Sequence, residues 1–177
     1  TVVGTMLRGA IFFSDAAQET MMLLPLLIGA ACILATVAAT WFVKLGSSNS
    51  IMGALYKGFI ASAVISAVLI GLVIIYYIGW DKTYLINTGA KMEITGSALF
   101  TCALIGLVVT GLIVWITEYY TGTKYRPVRS VAAASETGHA TNIIQGLAVS
   151  MEATALPVVV ICAGIITSYM QAGLFGV

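Results

Sequence analysis

Residues 96–116 read GSALFTCALIGLVVTGLIVWI, a run of 21 residues without one ionisable side chain other than Cys102. That length matches the roughly 20 apolar residues a helix needs to cross the hydrocarbon layer. It is far too long for a strand. Lipid offers the backbone no hydrogen-bonding partner, so each N–H and C=O must be satisfied inside the segment, which selects a helix. How often this pattern recurs decides the fold.

It recurs three more times, at about residues 21–43, 58–78 and 142–170. Residues 1–14 carry a shorter apolar run, too short to span, which reads as the end of a helix that began upstream. The closing GLFGV reads as a turn, so both ends look cut. Of the 177 residues, 60% are hydrophobic and only 8% are charged. An ordinary soluble domain is about 25% charged. The expectation is therefore an all-α integral membrane protein, a polytopic transmembrane helix bundle, multi-pass in a lipid bilayer.

Composition also excludes. A net charge of +1 provides no basic stripe, so no nucleic-acid partner is expected. Cys32, Cys102 and Cys162 lie far apart inside apolar runs and fit neither a metal site nor a disulfide framework. No signal peptide, phosphate-cradling glycine loop or nucleophile–base pair is visible. Aspartate occurs only at Asp15 and Asp81. A magnesium–phosphate site needs several converging carboxylates, which this chain does not supply by itself.

The connections at 44–57 and 80–95 are rich in Gly, Ser, Asn and Thr and read as turns and loops. Trp41, Tyr76, Tyr77, Trp80, Trp115, Tyr119 and Tyr120 fall near span ends, as interfacial aromatics do. Lys44, Lys57, Lys124, Arg126 and Arg129 share one side, against Arg8, Lys82 and Lys91 on the other. This bias places the 118–141 loop in the cytoplasm, in a bacterial inner or cell membrane. Pro127 biases its start away from helix, while the residues beyond are compatible with a short interfacial helix.

Two seams of small residues suit close helix packing: Ala54, Gly58, Ser62 and Ser66, and Gly146, Ser150, Ala153 and Pro157. Beside the second seam runs a polar stripe, His139, Asn142, Gln145 and Glu152. At 1.5 Å per residue, Glu152 lies about 15 Å past Asn142, near mid-bilayer. A carboxyl there is costly and is either functional or paired inside the bundle. Glu152 is thus a candidate ion-coupling group or a structural glutamate fixing helix packing. His139, at the mouth, is read as a cap or loop hydrogen bond, or as a proton-transfer group. Glu118, Lys124, Arg126 and Arg129 form a candidate cytoplasmic contact surface, or plain anchoring with salt bridges.

Three segments carry a resemblance: EYYT at 118–121, PVRSVA at 127–132 and TGHATNIIQGLA at 137–148. Together with the alternation of spans and loops over the whole chain, they resemble the membrane-integral pyrophosphatases. These are pyrophosphate-energised proton or sodium pumps. The histidine after Thr-Gly and the SMEATALP of residues 150–157 resemble the potassium-independent branch.

The resemblance implies a parent of about sixteen membrane helices bundled as in other helical membrane proteins. It also implies Mg2+ as cofactor, pyrophosphate as substrate, a homodimer, and catalytic aspartates outside this stretch. On that reading the chain is an internal piece supplying scaffold helices and a cytoplasmic loop to the remainder of the polypeptide. It is then inactive alone, with no catalytic, cofactor or metal residue of its own. Composition by itself fits equally a non-enzymatic helix bundle from a secondary transporter or a membrane assembly subunit.

Overall fold

The computed structural model describes residues 2–12, 15–41, 51–80, 82–85 and 93–177. In chain order the elements are α1 (Val2–Phe12), α2 (Asp15–Thr40), α3 (Ile51–Tyr77), β1 (Thr83–Leu85), β2 (Glu93–Thr95), α4 (Gly96–Thr121), α5 (Arg126–Thr137) and α6 (His139–Gly176). Four of these helices are long and apolar enough to cross a membrane: α2, α3, α4 and α6. The chain forms two compact units, residues 1–104 with 168–177, and residues 105–167.

In the first unit, α1 packs on α2 and α2 on α3. The α1–α2 crossing is close because Gly9 has no side chain: a Cβ there would sit 3.1 Å from the Met21 carbonyl carbon. Small residues do the same for α2 and α3. Ala31, Ala35 and Ala39 recur every fourth residue of α2 and are buried, as are Ala54, Gly58 and Ser66 of α3. Burying Ser66 in such a seam brings backbones together, the main source of association where no hydrophobic effect acts between helices. A larger core joins Met21, Leu24, Ile70, Ile74, Ile78, Leu99, Cys102 and Phe175.

The membrane-facing character shows in what stays exposed. Ile33, Leu34, Val64, Val68 and Val108 are more than half exposed, as apolar side chains facing lipid tails would be. Trp41 is 80% and Tyr76 95% exposed, each at a helix end where an interfacial aromatic belongs.

Several elements differ from the sequence expectation. The 80–95 connection contains an antiparallel hairpin, Thr83 opposite Thr95 and Tyr84 opposite Ile94. β-branched and aromatic residues favour strand there, Ile94 is fully buried, and the Tyr84 hydroxyl donates to the Ile78 carbonyl at 3.2 Å. Gly79 (φ 84°) makes the preceding turn, and its carbonyl presses so closely on Gly96 that no Cβ fits there. Residues 86–92, with Lys91, lie outside the described residues, as do Asp81 and residues 42–50, with Lys44.

α3 starts at Ile51, seven residues before the expected span, because SIMGALYK continues the apolar helix through Lys57. α4 runs on to Thr121 for the same reason. The 118–141 loop is mostly helix: α5 occupies Arg126–Thr137, and Pro127 opens it instead of blocking it. In the first turn of a helix the missing N–H of proline would be unpaired anyway, and its fixed φ suits the helix. α6 begins at His139, three residues before the expected span, and runs straight through Pro157 as far as a break at Ala172–Gly173, where Gly173 takes φ 58°.

Candidate functional site: the α5–α6 elbow

The second unit holds the end of α4, all of α5 and most of α6, and every polar candidate lies in it. It begins with a tyrosine-built turn. Gly122 N–H donates to the Glu118 carbonyl at 2.7 Å, and Tyr125 N–H to the Gly122 carbonyl at 3.1 Å. A Cβ on Gly122 would lie 2.8 Å from the Tyr125 ring and 2.9 Å from the Glu118 carbonyl, so only glycine fits. The Tyr119 ring meets Tyr120 edge-on at 5.1 Å and Tyr125 at 5.3 Å. Such aromatic pairs hold a turn more firmly than their buried area alone.

α5 then lays Pro127, Ser130, Val131 and Ala134 inward and turns Arg126, Arg129 and Glu136 out. It ends at Gly138, whose φ of 136° and ψ of 166° belong to a region essentially reserved for glycine. Thr137 and Thr141 bracket that turn. Their hydroxyls share a 2.7 Å hydrogen bond, and Thr141 also donates to the carbonyls of Gly138 (2.8 Å) and Ala134 (3.1 Å). Asn142 N–H returns to the Gly138 carbonyl at 3.2 Å. Thr-Gly-x-x-Thr-Asn is thus a hinge with its hydrogen bonds built in.

The structure divides the polar stripe. Asn142 and Gln145 face α5. Gln145 Nε2 donates to Ser130 Oγ at 3.2 Å, and Ser130 Oγ in turn donates to the Pro127 carbonyl at 2.7 Å. Asn142 Oδ1 is buried with no hydrogen-bond partner. It opens onto a groove of about 370 Å³ lined by Tyr120, Pro127, Val128, Val131, Ala132, Ser135, Asn142 and Val149.

Glu152 and His139 are not brought to that groove. Glu152 lies exposed on the flank of α6, within electrostatic reach of the Tyr120 hydroxyl. His139 is exposed, and the bonds that hold its turn are made by Thr137 and Thr141. Glu118 is half-buried, while Lys124, Arg126 and Arg129 are exposed. Among the described residues none of these four charges is ion-paired.

Nearer the middle of α6, Gly164 sits against α4: a Cβ there would be 2.7 Å from Val109 Cγ2. Gly164 lies on the same helical face as Gly146, since eighteen residues make five whole turns. The seam therefore meets its neighbour at Gly164, whereas nothing lies within 4 Å of a Cβ on Gly146.

The family profile described as Inorganic H+ pyrophosphatase matches residues 1–177, the full length of the chain. The chain belongs to the proton-pumping inorganic pyrophosphatases. It is 58% identical over 168 residues to pyrophosphate-energized proton pump 2 of Rhizobium leguminosarum bv. trifolii, covering 94% of this chain and 77% of that one. Against pyrophosphate-energized proton pump 2 of Mycoplana dimorpha it is 55% identical over 172 residues, with 97% and 81% covered.

A K(+)-insensitive pyrophosphate-energized proton pump of Methanosarcina mazei is 39% identical over 173 residues; the match takes in 98% of this chain but 23% of the archaeal one. Membership in the pyrophosphatase pumps decides against the transporter or assembly-subunit alternative that composition left open.

Among the described residues of this pump segment, no three His, Cys, Asp or Glu side chains converge. The hard, oxygen-rich set that magnesium and pyrophosphate require is not what these residues offer. Sequence reasoning singled out Gln145 and Asn142 but missed Ser130, Thr141, Gly138 and Gly122. Ser130 had a signal, lying three residues from Pro127 on the apolar side of an amphipathic stretch.

Proposed function

We propose that this chain forms part of the membrane domain of a pyrophosphate-energised proton pump, in which hydrolysis of magnesium pyrophosphate drives protons across a membrane. The observation that carries this is the match of its full length to the proton-pumping pyrophosphatases, on a structure of four membrane-length helices. Magnesium and pyrophosphate are held by carboxylates of the parent polypeptide outside this stretch. There the metal would neutralise phosphoryl oxygens and activate water.

Within the pump, α2, α3, α4 and α6 are scaffold, and the elbow from Glu118 to Thr141 lies on the cytoplasmic side. The excess of basic residues around that elbow supports this orientation. Lys124, Arg126 and Arg129 stand unpaired and exposed there, suited to anionic headgroups or to the approach of an anionic substrate. Glu152 is the candidate proton-carrying group: a carboxyl far along a membrane-length helix with only a tyrosine hydroxyl in electrostatic reach. The pump is potassium-independent, a reading supported by the SMEATALP segment and by the K(+)-insensitive archaeal relative. It works as a homodimer.

The test uses vesicles containing the full-length parent protein. Magnesium pyrophosphate should acidify their lumen and release phosphate, with equal rates in sodium and potassium media. Residues 1–177 alone, reconstituted in the same lipid, should release none. Phosphate release by the isolated segment would overturn the reading.

A further inference from the structure

We propose that the groove beside α5 and α6 seats another transmembrane helix of the same pump polypeptide, one that presents a small side chain whose O–H or N–H donates to Asn142 Oδ1. Two features of the groove define its occupant. Its walls are mostly apolar, from Val128, Val131 and Val149, and its one buried polar atom is an acceptor lacking a donor. Ser135 cannot supply that donor, because its hydroxyl already donates to the Ala132 carbonyl at 2.6 Å.

The alternatives fail on chemistry. A lipid acyl chain would fill the volume but has no hydrogen to donate. Water could donate, yet about 370 Å³ exceeds by roughly tenfold the ~30 Å³ of one molecule, and a buried water needs two to four polar partners. A helix meets both demands. Ala132 and Ser135 line the groove with small side chains, the kind that let a second helix backbone come close.

There is also polypeptide to supply it. The Methanosarcina relative carries about four times the matched length, and the α6 span has none of its most apolar window buried by the helices of this chain. This inference rests on the reading of the chain as part of a longer pump, which pyrophosphate-driven acidification by the same preparation checks separately.

The experiment places the photo-crosslinker p-benzoylphenylalanine at Val131, and in a second variant at Ala132, of the full-length protein in membranes. After irradiation, the linked peptide should map outside residues 1–177 and within the same copy. Mixed isotopically labelled and unlabelled subunits distinguish one copy from two. Crosslinks to lipid alone, to a second copy, or to no peptide would overturn the proposal.

Asn142→Leu gives an independent readout in the full-length pump. Removing an unpaired buried acceptor raises stability or leaves it unchanged, whereas removing a paired one strands the donor and lowers it. The Tm should fall by several degrees. A Tm that is unchanged or raised means no donor is there, and the proposal is wrong even where the pump still acidifies vesicles.

Discussion

Gln145 of α6 donates to the Ser130 hydroxyl of α5 at 3.2 Å, a bond between residues fifteen apart in sequence that reaches across the Gly138 turn. Ser130 passes the interaction on to the Pro127 carbonyl at the start of α5. A single side-chain pair therefore tells the amphipathic helix where to lie on the membrane helix. Removing it by Ser130→Ala or Gln145→Leu should cost about 0.5–1.5 kcal/mol, the usual net value of such a bond. Hydrogen exchange over residues 126–137 of the full-length protein should quicken in either variant. The double variant should be little worse than the single ones; additive losses would mean that the two side chains act separately.

Gly138 sets the direction of that turn. At φ 136° and ψ 166° a Cβ is strained even though the space around it is open, with only Thr141 Oγ1 as near as 4.0 Å. Gly138→Ala should therefore destabilise the elbow by about 1–3 kcal/mol through backbone strain alone. Thr141→Val should act differently, by removing the hydroxyl that ties Gly138 and Ala134. Thermal unfolding in detergent, with proteolysis between α5 and α6 as a local probe, separates the two. If Gly138→Ala is as stable and as protease-resistant as the native protein, the glycine is not needed for its conformation.

The contact between α4 and α6 is steric. A methyl on Gly164 would come within 2.7 Å of Val109 Cγ2, closer than real carbon atoms approach. Gly164→Ala should cost about 1–3 kcal/mol as overpacking. Val109→Ala in the same chain should restore most of it by vacating the space. Rescue read as a recovered Tm checks the geometry, since no other described neighbour lies as near. Gly146→Ala, in open space on the same face, should change little by itself.

Sequence made the membrane fold legible because its signal is length and lack of charge, which survive any detail of packing. The 96–116 run needed no neighbour to be read as a helix. The elbow was less legible. Pro127 was expected to disfavour helix because a proline looks the same at position one of a helix as inside it until the boundary is known. The hairpin at Thr83–Leu85 and Glu93–Thr95 hid in a polar connection, since three-residue strands carry too little alternation to register.

The polar stripe was half right in a physical sense. Helical geometry put Asn142, Gln145 and Glu152 within about 80° of each other, but that spread is enough for the first two to meet α5 while Glu152 passes outside it. Ser130, the partner that divides them, lies on another helix, and no periodicity in one segment predicts it.

Glu152 carries the last prediction. It is exposed on a membrane-length helix, and its printed electrostatic neighbour among the described residues is Tyr120. A glutamate serving as packing glue needs hydrogen-bond partners, because a carboxyl deep in a membrane is otherwise costly by several kcal/mol. Glu152→Gln keeps the shape and the capacity to hydrogen-bond but cannot give up or take a proton. If Glu152 carries protons, the variant should hydrolyse pyrophosphate while moving fewer protons per phosphate released. The ratio is read from lumen acidification and phosphate release in one vesicle preparation. Tyr120→Phe should lower the same ratio less, since it removes a neighbouring hydroxyl and leaves the carboxyl. A native ratio together with a lowered Tm in Glu152→Gln would assign the residue to helix packing and end the proton-carrying reading.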